Sequence, residues 1–401
     1  QLLVWPTPYR RPRDKTAGKE IESVWEKARL TSVQSLAVYW RKRMVREVDL
    51  RSDTVTKPTP AMRKAMADAV VGDDVYKEDP TINELEEKIA AFLGKEAALY
   101  VASGTMGNLS AVMAHCWTRG QEIIMGDQSH MFMYEQGGIS SLAGVHVSSV
   151  PTQEDGTLDL EILKEKIRPR NPCQHEPSTG LICLENSHNR CGGRVLPLSY
   201  VREVCALARN NDIPVHMDGA RIINAAVHCG VPAHEIVKEC ASVSMCLSKG
   251  IGAPVGSVVA GSKQFIEKVH RCRKVLGGAL RQAGVLAAAA LVALETAEER
   301  IRIDHQRAKK FAQEIYNLKS KLITCDPDVI DSNMVLLHFP SPSFTNEDFV
   351  QRMAEANKQD PDAVIVKAGL RDKNRVRCVV HSDLTEEHLE WALHKIRMSV
   401  K

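Results

Sequence analysis

The chain has 401 residues, 26% charged and 44% hydrophobic, enough to bury a large core in one larger and one smaller domain. Its formal net charge of +3 is uneven: residues 1–48 hold 11 Lys/Arg against 5 Asp/Glu, so the remainder is slightly acidic, which excludes nucleic acid as the main partner. Eleven cysteines without a C-x-x-C pair fit a reducing compartment better than a disulfide framework, and the longest apolar run, Ala283 to Leu294, is too short to span a bilayer.

Residues 1–48 read as an extension, either targeting or unstructured in part, with a helix expected from Glu20 to Trp40 on the stripe Ile21, Val24, Trp25 and Ala28. Its arginines suit a mitochondrial leader and its five acidic residues oppose one, so the expected location is the cytoplasm or the mitochondrial matrix. The body begins at Val48 to Thr56, a polar, turn-like run before Pro58 and Pro60. Ile82, Leu85, Ile89 and Phe92 recur at helical spacing, with Thr81 expected as the cap and Gly94 as the stop. A strand follows at Ala97–Val101, and then Ser103-Gly104-Thr105-Met106-Gly107-Asn108-Leu109 opens a helix. Such a turn offers free backbone N–H groups and hydroxyls to an anion, although an ordinary N-cap has the same composition.

From Glu122 to about Ala260 short strands alternate with helices, the texture of an α/β sheet with mostly parallel strands. His130 follows the strand ending at Gly126, and Glu185-Asn186-Ser187-His188-Asn189 follows the strand Gly180–Leu184. Ile213–Asp218 is a third strand, ending in a carboxylate; Ile222–Cys240 has the length of a crossover helix; Ala241–Leu247 is a fourth strand, with Lys249 just beyond its end. Asp218 and Lys249 then face one crevice at the carboxyl ends of the strands. This pair suits pyridoxal phosphate, the amine forming a Schiff base with the aldehyde and the carboxylate holding the pyridine nitrogen protonated. Taken alone, such a pair is more often a surface ion pair or a strand-end cap. After Val285 the chain turns helix-rich, with a long helix to about Asn317, and closes in an α+β region with strands at Met334–Phe339 and Arg375–Val380.

Assembled, these clusters resemble the L-threonine aldolase family of pyridoxal phosphate enzymes. The matching runs are Asp49-Leu50-Arg51-Ser52-Asp53-Thr54-Val55-Thr56, Val71-Gly72-Asp73-Asp74-Val75-Tyr76, Asp79-Pro80-Thr81-Ile82-Asn83-Glu84-Leu85 and Ser103 to Asn108. They continue with Glu185 to Asn189, His216-Met217-Asp218-Gly219-Ala220-Arg221, and Leu247 to Gly256, in order from Val48 to the C-terminus. The resemblance implies the aspartate-aminotransferase-like fold (fold type I of pyridoxal phosphate enzymes), an α/β large domain with a smaller α+β domain, as homotetramers with active sites at a subunit interface. Expected boundaries are an extension at 1–48, an N-terminal segment at 49–80 serving the small domain and the interface, a large domain at 81–317 and a small domain at 318–401.

Carried over position by position, the resemblance implies that Lys249 is the Schiff-base lysine, Asp218 the pyridinium partner, and Ser103, Gly104 and Thr105 the phosphate cup. It makes His130 the imidazole over the ring, Arg221 the guanidinium near the phenolic oxygen, and Ser52, Arg221 and Arg377 the carboxylate holders. His175 matches a second histidine near the substrate hydroxyl, and Tyr76 a group reaching in from a neighbouring subunit. Glu135 reads as an orienting carboxylate or a structural one, and Lys274 and Arg281 as positive charge near a phosphate or as solvated surface. Lys77, Ala102, Val380 and Ser382 depart from the family pattern without removing a chemical group. The implied reaction is cleavage of L-threonine or L-allo-threonine to glycine and acetaldehyde, with His130, His175 or an ordered water as base. No metal and no membrane partner is expected. Rival readings are a lyase of the same fold acting on another β-hydroxy amino acid or on serine, and a cofactor-binding scaffold without catalysis.

Overall fold

Strands that read as nearly continuous apolar runs belong in the middle of a sheet covered on both faces, and this is where they lie. The computed structural model describes residues 46–170, 172–356, 363–372 and 374–400; the helix expected at Glu20–Trp40 lies outside them. The chain divides into two compact units, residues 1–46 with 356–365, and residues 47–355 with 366–401. All that follows concerns the second unit.

Its seven-stranded sheet is built from β1 (Ala97–Val101), β2 (Gln121–Gly126), β3 (His146–Val150), β4 (Ser178–Glu185), β5 (Val215–Asp218), β6 (Ser242–Cys246) and β7 (Ser257–Gly261). The spatial order is β1-β7-β6-β5-β4-β2-β3. Neighbours from β6 through β5, β4 and β2 to β3 pair in parallel, while β7 runs antiparallel to both β6 and β1. β5, β6 and β7 are buried at every position, as central strands must be.

Helices cover both faces. α1 (Pro60–Asp68), α2 (Pro80–Phe92) and α7 (Gly284–Leu294) pack together on one side, and α7 buries Ala287, Ala288, Ala289, Ala290 and Ala293 because small side chains let its neighbours approach closely. α3 (Gly104–His115) and α6 (Lys263–Val275) pack against each other and on β1 and β7. α4 (Leu198–Asn210) and α5 (Ile222–Cys229) follow β4 and β5. Among the described residues no helix is long and apolar enough to cross a membrane.

Two local expectations are corrected. α2 is capped by Asp79, whose Oδ1 accepts from Thr81 N and Ile82 N at 3.1 Å, with Pro80 in the first helical position; the Thr81 hydroxyl instead donates to Val70 O at 2.6 Å. The crossover segment 222–240 is not one helix: Gly230, at φ +66°, ends α5 in a left-handed cap, and Pro232 prevents its continuation into the short turn Ala233–Ile236.

α8 (Ala297–Asn317) leads to a three-stranded antiparallel sheet of β8 (Met334–His338), β9 (Gly369–Asp372) and β10 (Arg375–Val379), in the order β9-β10-β8, flanked by α9 (Asn346–Ala354) and α10 (Glu386–Ser399). α8 packs on α5 of the large sheet and on β8 and α10 of the small one, and Asn224 Nδ2 is bonded to His305 at 3.0 Å and Asn333 at 3.2 Å. Through these contacts residues 81–355 and 366–401 fall in the same compact unit.

The return from β6 to β7 carries Lys249 and ends at Gly256. Gly256 adopts φ +101°, and an added Cβ would stand 2.2 Å from the Tyr100 hydroxyl. Gly256→Ala is therefore expected to cost about 2–4 kcal/mol of unfolding free energy, strain and overpacking together; urea unfolding checks this, and a loss within about 0.5 kcal/mol would show that the turn relaxes freely.

Candidate active site

Parallel strands bring their carboxyl ends to one edge, and the chemistry gathers there. β4 ends in Glu185 and β5 in Asp218, which are register partners, and Asn186 N donates to Asp218 O at 2.9 Å. Glu185 organises the neighbouring loops: one carboxylate oxygen accepts from His130 N at 2.6 Å and the other from Asn189 N at 2.8 Å. Asp218 is 2% exposed, its Oδ1 accepting from Ala220 N at 3.1 Å and its Oδ2 from Asn108 Nδ2 at 2.9 Å. Lys249 is half-buried beyond β6, and among the described residues its Nζ has no hydrogen-bond partner.

His130 Nδ1 is 2.9 Å from Glu135 Oε1, which also accepts from Asn108 Nδ2 at 2.9 Å. Burial acts to lower the His130 pKa, but the bond to Glu135 and the negative charges of Asp218 and Glu135 outweigh it, so the imidazole titrates above its ordinary value. Burial also raises the Glu135 carboxyl, with His130 opposing. His130, Glu135 and Asp218 offer atoms within 4.8 Å of one another, the spacing of a metal site, but the Asn108 amide and the imidazole already account for this closeness.

Arg221 and Asp53 form a fully buried fork, Nε to Oδ2 at 2.8 Å and Nη2 to Oδ1 at 2.6 Å. Burial acts to raise the Asp53 carboxyl, yet the Arg221 guanidinium holds it below the usual carboxylate range. The segment bearing Asp53 is fastened to the lysine loop through Thr56 Oγ1, which donates to Lys249 O at 3.2 Å. From the small sheet, Arg377 donates Nη1 to Asn189 Oδ1 at 2.5 Å and Nη2 to Arg51 O at 2.9 Å, which sets it beside Ser52; its Nε is buried without a partner. Arg371 donates to the same Asn189 oxygen at 2.9 Å.

The phosphate-cup residues lie at the start of α3. Ser103 is its N-cap, its Oγ accepting from Met106 N at 3.2 Å; Ser103 and Thr105 are exposed and Gly104 half-buried, leaving the first-turn N–H groups accessible. A Cβ on Gly104 would stand 2.8 Å from Cys246 Sγ, so the close approach of α3 to β6 requires glycine. Open amide donors, a buried carboxylate with its remaining lone pairs free, and an unpaired amine form a donor set that fits pyridoxal phosphate.

Comparison with known proteins agrees. A family profile described as Beta-eliminating lyase matches residues 49–339. The "Low-specificity L-threonine aldolase 1" of Arabidopsis thaliana is 45% identical over 87% of this chain and 95% of its own. The chain belongs to the low-specificity L-threonine aldolase family. Among solved structures, a "Putative aromatic amino acid beta-eliminating lyase/threonine aldolase" from Exiguobacterium sp. superposes with TM-score 0.73 at 20% identity, over 89% of this chain and 98% of that one. A structure of "SPT with PLP" does so at 0.67 and 16%, over 88% and 86%. These confirm the expected fold type.

Within this member of the aldolase family, one expected residue is not at the crevice. His175 is exposed in the loop before β4, while Glu185 ends that strand. Eight strand residues separate the two edges by on the order of 25 Å, so His175 cannot be a base in its own chain's crevice. Tyr76 is 71% exposed on the turn Asp74–Tyr76. Lys274 is exposed, and Arg281 pairs with Asp73 at 3.1 Å. Lys77, standing where the family pattern has glycine, is left-handed at φ +61°, the conformation that glycine would serve. Sequence reasoning missed Asn108, Asp53 and Asn189 as individual groups; their signal was only that each is a short polar residue within a motif read as a block.

Proposed function

We propose that the chain cleaves L-threonine and L-allo-threonine to glycine and acetaldehyde by a retro-aldol reaction, as a carbon–carbon lyase using pyridoxal phosphate. The observation that carries this reading is Asp218, buried and clamped between Ala220 N and Asn108 at the strand edge that also bears Lys249. When bound, pyridoxal phosphate supplies an electron sink for the bond that breaks.

In this reading Lys249 would hold the cofactor's aldehyde through its amine, and Ser103, Gly104 and Thr105 would receive the phosphate through hydroxyls and first-turn N–H groups. Asp218 keeps the proton on the ring nitrogen. Arg377, with Ser52 beside it, holds the substrate carboxylate; Arg221, its Nε and Nη2 engaged by Asp53, presents Nη1 alone. Fixing the carboxylate would orient the Cα–Cβ bond for cleavage. Glu135 accepts from His130 Nδ1–H, which leaves Nε2 with a lone pair to take the β-hydroxyl proton as acetaldehyde departs. With His175 at the far edge, His130 is the base that the chain's own geometry supports.

The proposed assembly is a tetramer of two dimers, with Tyr76 reaching a neighbour's site. Its support is the apolar surface around that turn, where Val70 is 68% and Tyr76 71% exposed. Eleven free cysteines, most of them buried, suit a reducing compartment such as the cytosol or the mitochondrial matrix.

The purified protein mixed with pyridoxal phosphate is expected to show a visible absorption band and to release acetaldehyde from either substrate. Lys249→Ala abolishes the band; a wild-type band without acetaldehyde from either substrate would refute the reaction. Because the His130 pKa is raised, its unprotonated form is lost as pH falls through a value above that of ordinary histidine, so kcat/KM declines on the acid side. Glu135→Gln removes a raising influence and moves this limb to lower pH; an unmoved limb excludes the His130–Glu135 pair as its source. Light scattering at micromolar concentration is expected to give a tetramer mass, and a monomer mass would end the assembly proposal.

A further inference from the structure

Asn108 is 1% exposed on the first turns of α3 and bonds two buried carboxylates of the crevice floor. Its amide nitrogen has two hydrogens, and each meets a buried carboxylate: Asp218 Oδ2 at 2.9 Å and Glu135 Oε1 at 2.9 Å. Its oxygen accepts from Ser244 Oγ at 2.6 Å on β6 and lies 3.3 Å from His216 Nε2 on β5. The orientation of the amide is therefore forced, because the flipped form would set its oxygen against two carboxylates.

The chain of donors behind it is forced as well. His216 Nε2 faces an acceptor and must carry the hydrogen, so His216 Nδ1 accepts from Ser242 Oγ–H at 2.8 Å. Ser242 Oγ in turn accepts from His115 Nε2–H at 2.8 Å, with the His115 ring stacked 4.4 Å from Phe265. Burial lowers both imidazoles, His216 to about 4 and His115 to about 3, so each stays neutral and the direction of the chain holds across the working pH range. Ser244 and His216 thus converge on one amide oxygen, with Ser242 and His115 behind His216, and every dipole in the series points its hydrogen toward Asn108.

The geometry points to Asn108 as the positioning residue that fixes Asp218 and, through Glu135, His130, so that the carboxylate that would protonate the ring nitrogen and the orientation of the base are set by one amide. This rests on the reading of the site given above. A carboxylate needs no donor to be charged, but it needs one to be aimed: Asp218 Oδ1 is held by Ala220 N and, among the described residues, only Asn108 holds Oδ2. Removing the amide hydrogens also sets Asp218 and Glu135 to repel each other across an unbridged gap.

The test uses Asn108→Asp in the pyridoxal phosphate-loaded protein, since this change keeps shape and oxygen while removing both hydrogens. At pH 8 the expected result is cofactor affinity reduced about tenfold and kcat reduced about 100-fold with KM within about threefold, the pattern of lost preorganisation. Lowering the pH toward 6 restores part of both, as the introduced carboxyl takes a proton and donates again. Asp218, Glu135, His130, His216 and Lys249 all face or border that position, so the recovery is read against the wild-type profile over the same range. Wild-type affinity and kcat in a folded variant, or a loss with no recovery on acidification, would overturn the inference. If the variant fails to fold, Ser244→Ala decides: it frees the amide oxygen alone, and is expected to weaken cofactor affinity and kcat about threefold to tenfold, whereas no change in either overturns it. A wild-type protein lacking the visible band would instead overturn the functional reading, which keeps the two failures apart.

Discussion

A charged carboxylate buried at the end of a parallel strand must be satisfied by donors that arrive from elsewhere, and Asp218 sets this demand for the whole site. Its strand ends between β4 and β6, so donors have to come from the turn that follows, Ala220, and from α3, Asn108. Asn108 can reach only because α3 sits tightly on β6 and β7, where Gly104 and Gly107 leave room against Cys246 and Val259. The packing of one helix on the sheet thereby fixes the electrostatics of the crevice, and the same helix start bears Ser103, Gly104 and Thr105.

The second constraint is the traffic of arginines. Arg221, Arg371 and Arg377 converge near the N-terminal segment, and among the described residues only Arg221 has a carboxylate partner within ion-pair distance. Asp53 neutralises that one in a buried fork, while Arg371 and Arg377 share the neutral oxygen of Asn189 and keep their charge uncompensated. A site arranged this way attracts an anion and gives it a defined angle of approach. The small sheet contributes Arg377 from β10, and the N-terminal segment contributes Ser52 and Asp53, so distant parts of the chain meet at one edge of the crevice.

What was legible in the sequence follows from this. Asp218 and Lys249 were readable because apolar strands with a polar residue just past the end announce a strand edge, and all the strands named beforehand lie within a residue or two of their expected places. Ser103 to Thr105 were readable as a helix start. His175 was misplaced because a motif match gives separation along the chain, not which edge of the sheet a loop occupies; it precedes β4, whereas His130 follows β2. The Asp53–Arg221 fork joins residues 168 positions apart and the Asn108–Asp218 bond 110, so neither leaves any local periodicity to find. The crossover helix was overextended because apolar spacing continues through Gly230 and Pro232, whose backbone geometry overrides it.

The single antiparallel strand, β7, has a consequence for Lys249. Because β7 returns directly alongside β6, the lysine sits on a short closed return instead of on a long crossover, and Leu247 N clasps Gly256 O at 3.0 Å across its base. Ala253 N, bonded to Leu247 O at 3.1 Å, and Thr56, bonded to Lys249 O, brace the same return. Its backbone is anchored at both feet while four methylenes swing free. The amine is thus a tethered arm that can let go of one partner and take another without disturbing the sheet that carries it.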